Sequence, residues 1–253
     1  VPSAAVTPMT PARVQIPRSV EPLLREVGRL ADQRGMRAYA VGGCVRDWLL
    51  GLTQTPDLDV TVEGDGIAVA RAAGPALGGT LTVHQQFGTA TRLLRRRAGP
   101  RRVDFATCRR ETYARPAAYP AVAPGTLEDD LFRRDFTLNA MAVALGPARF
   151  GALVDPFQGA RDLRRKRLRI LHARSFLDDP SRLLRGVRFA QRFGLRWEPG
   201  TRRAARDAAS AGALGWLNAG RLRRELERMG DEPDPLACFQ GLAALLGSSA
   251  NAD

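Results

Sequence analysis

Lysine is almost absent from this sequence. Lys166 is the only one, so the positive charge is carried by 38 arginines against 26 carboxylates, a formal charge of +13 over 253 residues. A basic excess of this size points to an acidic partner, nucleic acid first. A GC-rich genome also favours arginine over lysine, so charge by itself names nothing. Cysteine is scarce too: Cys44, Cys108 and Cys238 have neither the number nor the spacing of a disulfide frame or a zinc site, which points to a reducing cytoplasm. The two histidines, His84 and His172, have no ligands at metal spacing nearby and read as ordinary strand-end residues. No run approaches the roughly 20 apolar residues that cross a bilayer, and the start lacks a basic stretch leading into an apolar one, so no membrane partner is expected. What is present, 44% hydrophobic and 26% charged residues, has globular proportions that exclude a disordered tail or a fibre. The length fits one large or two modest domains.

Residues 1–17 are rich in Pro, Ala and Thr without periodicity and read as a flexible N-terminal segment. Val20, Leu23, Leu24, Val27 and Leu30 then repeat at helical spacing up to Gly35. A short strand, Ala38–Val41, runs into Gly42-Gly43 and a brief helix, Cys44–Leu50. Asp57–Val62 alternates, with Asp57, Asp59 and Thr61 on one face and Leu58, Val60 and Val62 on the other. An Ala-rich helix over Ile67–Leu77 precedes strand-like pieces at Thr80–His84, Thr89–Leu94 and Arg102–Thr107. After a Pro-rich connection, Leu127–Val143 and Asp179–Phe193 read as helices around extended segments at Leu153–Pro156 and Leu168–Leu171. From Thr201 onward the pattern is helical, with Leu222, Leu226 and Met229 as one apolar stripe, and Trp197 and Trp216 are expected to pack this part.

Two carboxylates two apart on a strand leave the same face about 6.5–7 Å apart. They repel unless a cation lies between them, and Mg²⁺ takes one or two carboxylates together with substrate phosphates. Asp104, off the apolar face of a later strand, is a candidate third ligand. Taken alone, Asp57 and Asp59 equally mark the polar face of an edge strand. Their context is a glycine turn, Gly42-Gly43, whose backbone N–H groups can cradle an anion, and Arg46, a bidentate phosphate donor. Together these describe a site for a metal-bound triphosphate.

Three segments in order, VGGCVRDWLLG with DLDV, then LFRRDFTLNAMAV, then FLDDPSRLLRGVRFAQRFG, span roughly residues 38–194. This pattern resembles the bacterial tRNA nucleotidyltransferase / poly(A) polymerase family of the class II, CCA-adding type. The resemblance implies an α+β fold: a polymerase-beta-like nucleotidyltransferase head with a mixed or antiparallel sheet over 18–172, then an all-helical neck over 173–253. It implies template-independent addition of C and/or A from CTP and ATP to a tRNA 3′ end, with the 3′-hydroxyl attacking the α-phosphate. Asp57 and Asp59 would bind catalytic Mg²⁺ with Asp104 beside them, and Gly42, Gly43 and Arg46 would approach the triphosphate. Arg133, Arg134, Asp135 and Asn139 would meet the ribose and phosphates, with Asp135 and Asn139 sharing a helix face at i and i+4.

The third segment carries Asp178, Asp179, Arg182 and Arg185. In the family, the second carboxylate and first arginine template the base. A carboxylate accepts from the exocyclic amine of C or A, and a guanidinium donates to the same edge, whereas U and G present a carbonyl there. Asp178 stands where the family has Glu, one methylene shorter, and could instead act as a cap. CRRETYARPAAYPAV occupies the place of the family's flexible loop. Its Tyr113 and Tyr119, with Arg109, Arg110 and Arg115, could stack on an RNA end or anchor a lid. Arg95–Arg97, Arg164–Arg169, Arg223, Arg224 and Arg228 are candidate tRNA phosphate contacts. Relatives carry further helical body and tail domains, while this sequence ends soon after the neck, as a short member or a fragment. The rival readings are a poly(A) polymerase on the same scaffold and a truncated RNA-binding remnant.

Overall fold

The computed structural model describes residues 12–54, 57–95 and 101–247. In chain order the elements are α1 (Glu21–Asp32), β1 (Arg37–Val41), α2 (Gly43–Leu49), β2 (Asp57–Glu63), α3 (Gly66–Ala72), α4 (Gly74–Leu77), β3 (Thr80–His84), β4 (Thr89–Leu94) and β5 (Arg101–Thr107). A hairpin of β6 (Arg109–Thr112) and β7 (Ala121–Pro124) and helix α5 (Leu127–Phe132) follow, then β8 (Ala142–Ala144) and β9 (Leu153–Val154). The rest is α6 (Gly159–Arg164), β10 (Arg167–Leu168), α7 (Ser175–Asp178), α8 (Ser181–Phe193), β11 (Arg196–Trp197), α9 (Pro199–Ser210), α10 (Ala219–Gly230) and α11 (Pro235–Gly247). The chain forms two compact units, one running to Thr107 and including Ala142–Asp155, the other comprising Cys108–Met141 and everything from Pro156. The expected boundary at 172/173 thus differs from this division, because the chain enters the second unit at Cys108 and returns for two strands.

The first unit is built on one sheet in the order β3-β4-β5-β2-β1-β8-β9. Only β2 and β5 run parallel; every other neighbouring pair is antiparallel, so the sheet is mixed. Helix α1 buries Leu23, Leu24, Val27, Leu30 and Ala31, the stripe expected from the spacing. It lies so close to the exit of β8 that a Cβ on Gly28 would fall 1.8 Å from the Leu145 carbonyl oxygen. The unperiodic segment expected over 1–17 lies outside the described residues as far as residue 11. Beyond that it is packed rather than loose: Val14 is buried, and its N–H donates to Gly151 O at 2.9 Å.

In the second unit, Leu184, Val187, Met229 and Cys238 form a buried cluster from α8, α10 and α11, closed by Trp197, Leu222 and Leu226. The apolar stripe of α10 and Trp197 therefore pack as expected, whereas Trp216 is 43% exposed. Gly186 on α8 is where the indole of Trp197 comes close; a Cβ there would sit 2.5 Å from its Cη2. The helix expected over Leu127–Val143 ends at Phe132. Its start is secured by a Thr126/Asp129 capping box, a device that stabilises a helix by about 1 kcal/mol. Its end comes where Asp135 Oδ1 accepts the Phe136 N–H at 2.8 Å, offering the backbone an alternative to the helical bond. A single 3₁₀ turn, Thr137–Asn139, and the strand β8 take its place. The Pro-rich connection is likewise not a plain loop, since its last residues return as β7 against β6, pairing Arg109 with Pro124.

Among the described residues no helix is long and apolar enough to cross a membrane.

Candidate active site

The strand β2 enters the site with an exposed–buried–exposed alternation over Asp57, Leu58 and Asp59. The two carboxylates leave one face, as the sequence implied, while Leu58 is fully buried behind them. Parallel pairing with β5 sets Asp59 opposite Asp104 and Asp57 opposite Arg102. Asp104 Oδ1 accepts from Thr91 Oγ1 at 2.5 Å, and Oδ2 pairs with Arg102 Nε at 2.7 Å, with 31% of its side chain still exposed. It stands beside the pair on the neighbouring strand. Arg102 is held in its charged form above its ordinary range, first by Asp104 and further by the fields of Asp57 and Asp59.

Among the described residues no group of three or more His, Cys, Asp and Glu is arranged to hold a metal by itself. Two exposed carboxylates nevertheless fit Mg²⁺, which fills its remaining octahedral positions with water and substrate phosphate oxygens. In the same unit Gly42 adopts φ 76°, a left-handed conformation that favours glycine, at the turn into α2. Arg46 is buried, and its Nη2 lies 2.7 Å from Asp47 Oδ1.

The second unit gathers the residues of the second and third segments. Asp135 is buried and accepts on Oδ2 from Arg185 Nε and Nη2 at 2.8 and 2.5 Å, while Asn139 Nδ2 donates to its Oδ1 at 2.9 Å. Burial opposes its charge, but the Arg185 guanidinium, the Asn139 amide and the field of Arg182 outweigh burial and hold the carboxyl at about 2. Asp135 and Asn139 thus meet as expected, but across a turn instead of along a helix. Asp130, with no exposed surface, takes two bonds from Arg133 at 3.0 and 2.7 Å and one from Arg134 at 3.1 Å. Arg133 also reaches Glu111 on β6 at 3.3 Å, and Glu111 Oε2 accepts from Tyr113 OH at 3.0 Å. Burial, with the charge of Glu111 next, pushes the Tyr113 phenol well up.

The two templating candidates do not pair with each other. Arg182 is buried, its Nη1 donating to Ser175 Oγ at 2.6 Å and its Nη2 to the Arg133 carbonyl at 2.7 Å. Asp179 is extended, just ahead of α8, and Asp179 Oδ1 accepts from Ser181 N, Ser181 Oγ and Arg221 Nη2 at 3.0, 2.6 and 2.5 Å. Neither aspartate is the N-cap of α8, a position held by Pro180 without a side-chain bond. Asp178 lies 3.5 Å from Arg174 Nε and 3.9 Å from His172 Nδ1, so it does not orient Arg182 by an ion pair. Burial and the charge of Arg182 lower the His172 pKa.

Sequence reasoning missed Asp130, Glu111, Ser175 and Arg221. Asp130 could have been found, since it stands three and four residues before Arg133 and Arg134. Arg221, 42 residues from Asp179, carries no local signal.

Comparison with known proteins gives four further findings. A sequence model described as the Poly A polymerase head domain matches residues 38–169. The A-adding tRNA nucleotidyltransferase of Halalkalibacterium halodurans is 42% identical over 225 residues, covering 88% of this chain and 52% of that protein. The CC-adding tRNA nucleotidyltransferase of Deinococcus radiodurans is 45% identical over 160 residues, covering 63% of this chain and 41% of that protein. Among solved structures, a CCA-adding enzyme in an apo form aligns with TM-score 0.85 and 40% identity, over 94% of this chain and 55% of that one. The chain thus spans 41% to 55% of the length of these three relatives.

Proposed function

The chain belongs to the poly(A) polymerase head-domain family, and from that premise we propose that it is a template-independent nucleotidyltransferase adding A and/or C to a tRNA 3′ end. The observation that carries this reading is the exposed Asp57/Asp59 pair on one face of β2, backed by Asp104 and Arg102. The names of the relatives supply the substrate class: one adds A to tRNA and another adds CC. The head is assigned to residues 18–172 and the helical neck to 173–253. Three buried free thiols, Cys44, Cys108 and Cys238, fit a cytoplasmic setting.

Asp57 and Asp59 would hold Mg²⁺, which when bound supplies the charge that acidifies the 3′-hydroxyl and offsets the leaving pyrophosphate. The rest is the work of the chain. Arg102 lies against Asp104 and restrains the mutual repulsion of the carboxylates. In the second unit buried Asp135 fixes Arg185 and Asn139, the side chains that would meet phosphate and ribose. Asp179 and Arg182 are each anchored by other partners instead of by one another, so neither is neutralised against its template partner. An exocyclic amine on C or A can then donate to the carboxylate while a remaining guanidinium N–H donates to the neighbouring ring position.

The test is incorporation. The purified chain is incubated with Mg²⁺ and tRNA lacking CCA, ending in C, or ending in CC, each with CTP or ATP. Addition of a single A to the CC end, of C to the shorter ends, or of all three supports the proposal and identifies the branch. Unlimited A addition identifies a poly(A) polymerase instead, and no incorporation with any pair refutes the activity.

A further inference from the structure

The structure assigns a second duty to α10: we propose that Arg221 is a positioning residue, fixing the Asp179 carboxylate so that its Oδ2 faces the base, and that base selection depends on it. This rests on the templating reading of Asp179 given above.

A carboxylate turns about its last torsion in a broad, roughly two-fold well, so an exposed aspartate presents either oxygen. Asp179 is only partly buried, with 22% of its side chain exposed, and it sits in an extended link between α7 and α8. Three donors converge on Oδ1 and none among the described residues reaches Oδ2. Two of the three come from Ser181, two residues away, and move with the same link. Arg221 is the one that arrives from a separate element, and it is the charged one, at 2.5 Å. Hydrogen bonds with an ionised partner are about twice as strong as neutral ones.

Two sets of contacts hold the helix behind Arg221. Asn218 Oδ1 caps α10 by accepting the Arg221 N–H at 2.9 Å, while Asn218 Nδ2 donates to Tyr119 OH at 3.2 Å. The apolar stripe of α10 holds the helix on Leu184 and Val187 of α8, the helix that Asp179 leads into. Arg221 therefore reaches Asp179 from a helix packed on the one the carboxylate introduces. Arg182 does not compete for the carboxylate, because its terminal nitrogens are committed to Ser175 and Arg133. One oxygen is thus locked inward and the other left for an exocyclic amine. A freely turning carboxylate would offer that amine a less defined acceptor and would tolerate a carbonyl-bearing base more readily.

The experiment measures Mg²⁺-dependent binding of CTP, ATP, UTP, GTP and inorganic tripolyphosphate to wild type, Arg221→Ala and Arg221→Lys by calorimetric titration, with melting temperatures recorded alongside. Arg221→Ala should reduce the preference for the favoured nucleotide over UTP by about tenfold, the worth of a charge-assisted hydrogen bond. Tripolyphosphate affinity should stay within about twofold, and Arg221→Lys should recover part of the preference. A uniform loss for all ligands together with a lower melting temperature would mean a merely structural role and overturn the proposal. So would unchanged preference in Arg221→Ala, or in Arg221→Lys if the alanine variant does not fold. A wild type that binds all four nucleotides alike overturns the templating reading itself, which separates the two failures.

Discussion

Asp135→Asn removes a charge and almost no volume at the most tightly held carboxylate of the second unit. Asp135 holds its proton at about 2 against an ordinary 3.8, a depression of nearly two units despite burial, caused by Arg185, Asn139 and Arg182. At 1.36 kcal/mol per unit, the ionised form is favoured in the folded chain by about 2 kcal/mol. Breaking a buried pair outright costs about 3–5 kcal/mol, but Arg185 keeps 29% of its side chain exposed and recovers solvation, so the lower figure applies. The pH dependence follows from the sign. A depressed carboxylate stabilises fully above its unfolded value, and that contribution is lost as the pH falls from about 4 towards about 2. Urea unfolding of wild type and Asp135→Asn should therefore differ by about 2 kcal/mol at pH 7 and at pH 5, with the gap narrowing below pH 4. In an Arg185→Met background the same substitution should cost much less, since the charge it served is gone. A difference under about 0.5 kcal/mol at pH 7, or a cost undiminished in the Arg185→Met background, would refute the assignment of Asp135 stability to this pair.

Asp59→Ala should abolish nucleotide incorporation while leaving the melting temperature and metal-free nucleotide binding near wild type, because the side chain is exposed and acts through Mg²⁺; near-normal turnover would remove Asp59 from the metal site. Gly28→Ala places a Cβ 1.8 Å from the Leu145 carbonyl oxygen, so α1 must shift, and thermal unfolding should show a loss of about 1–3 kcal/mol. Gly186→Ala meets the edge of Trp197 at 2.5 Å and should cost a similar amount, readable as a change in tryptophan fluorescence as well as in stability.

The parts of the fold that could be read from sequence are those where one period acts alone. The alternation of Asp57–Val62 gave the face of β2, and the spacing of Leu23, Leu24, Val27 and Leu30 gave the buried stripe of α1. The reading over Leu127–Val143 failed because a side chain, not a propensity, ends that helix: the carboxylate of Asp135 takes the Phe136 N–H. The β6–β7 hairpin was hidden because its strands are four residues each and the second ends on Pro124, which cannot donate to a ladder. The chemical residues Asp57, Asp59, Asp135 and Asn139 were legible from type and spacing. Their supporting shell was only partly so. Asp130 pairs at helical distance, whereas Arg185 reaches back 50 residues to Asp135 and Arg221 reaches back 42 to Asp179. Such pairs exist only after the chain has folded.

The scarcity of lysine acquires a geometric sense in these pairs. Arg182 bridges a hydroxyl on α7 and a main-chain carbonyl after α5 with two different nitrogens. Arg185 places two nitrogens on one oxygen of Asp135, and Arg133 divides its nitrogens between Asp130 and Glu111. Buried Arg92 meets the carbonyls of Gly78 and Ala70, with no carboxylate partner among the described residues, and burial lowers its pKa. An ammonium is a single point with three donors and could not span two such acceptors at fixed geometry. Pairing an arginine with a carboxylate removes one charge of each sign, so the Arg185 and Arg133 pairs leave the formal +13 unchanged; Arg182 and Arg92, which meet neutral acceptors, are the ones that withdraw positive charge from the surface. A salt-dependence measurement of tRNA binding should accordingly return a slope governed by the exposed arginines, such as Arg223 and Arg228, with 80% and 53% of their side chains exposed, and not by the whole count.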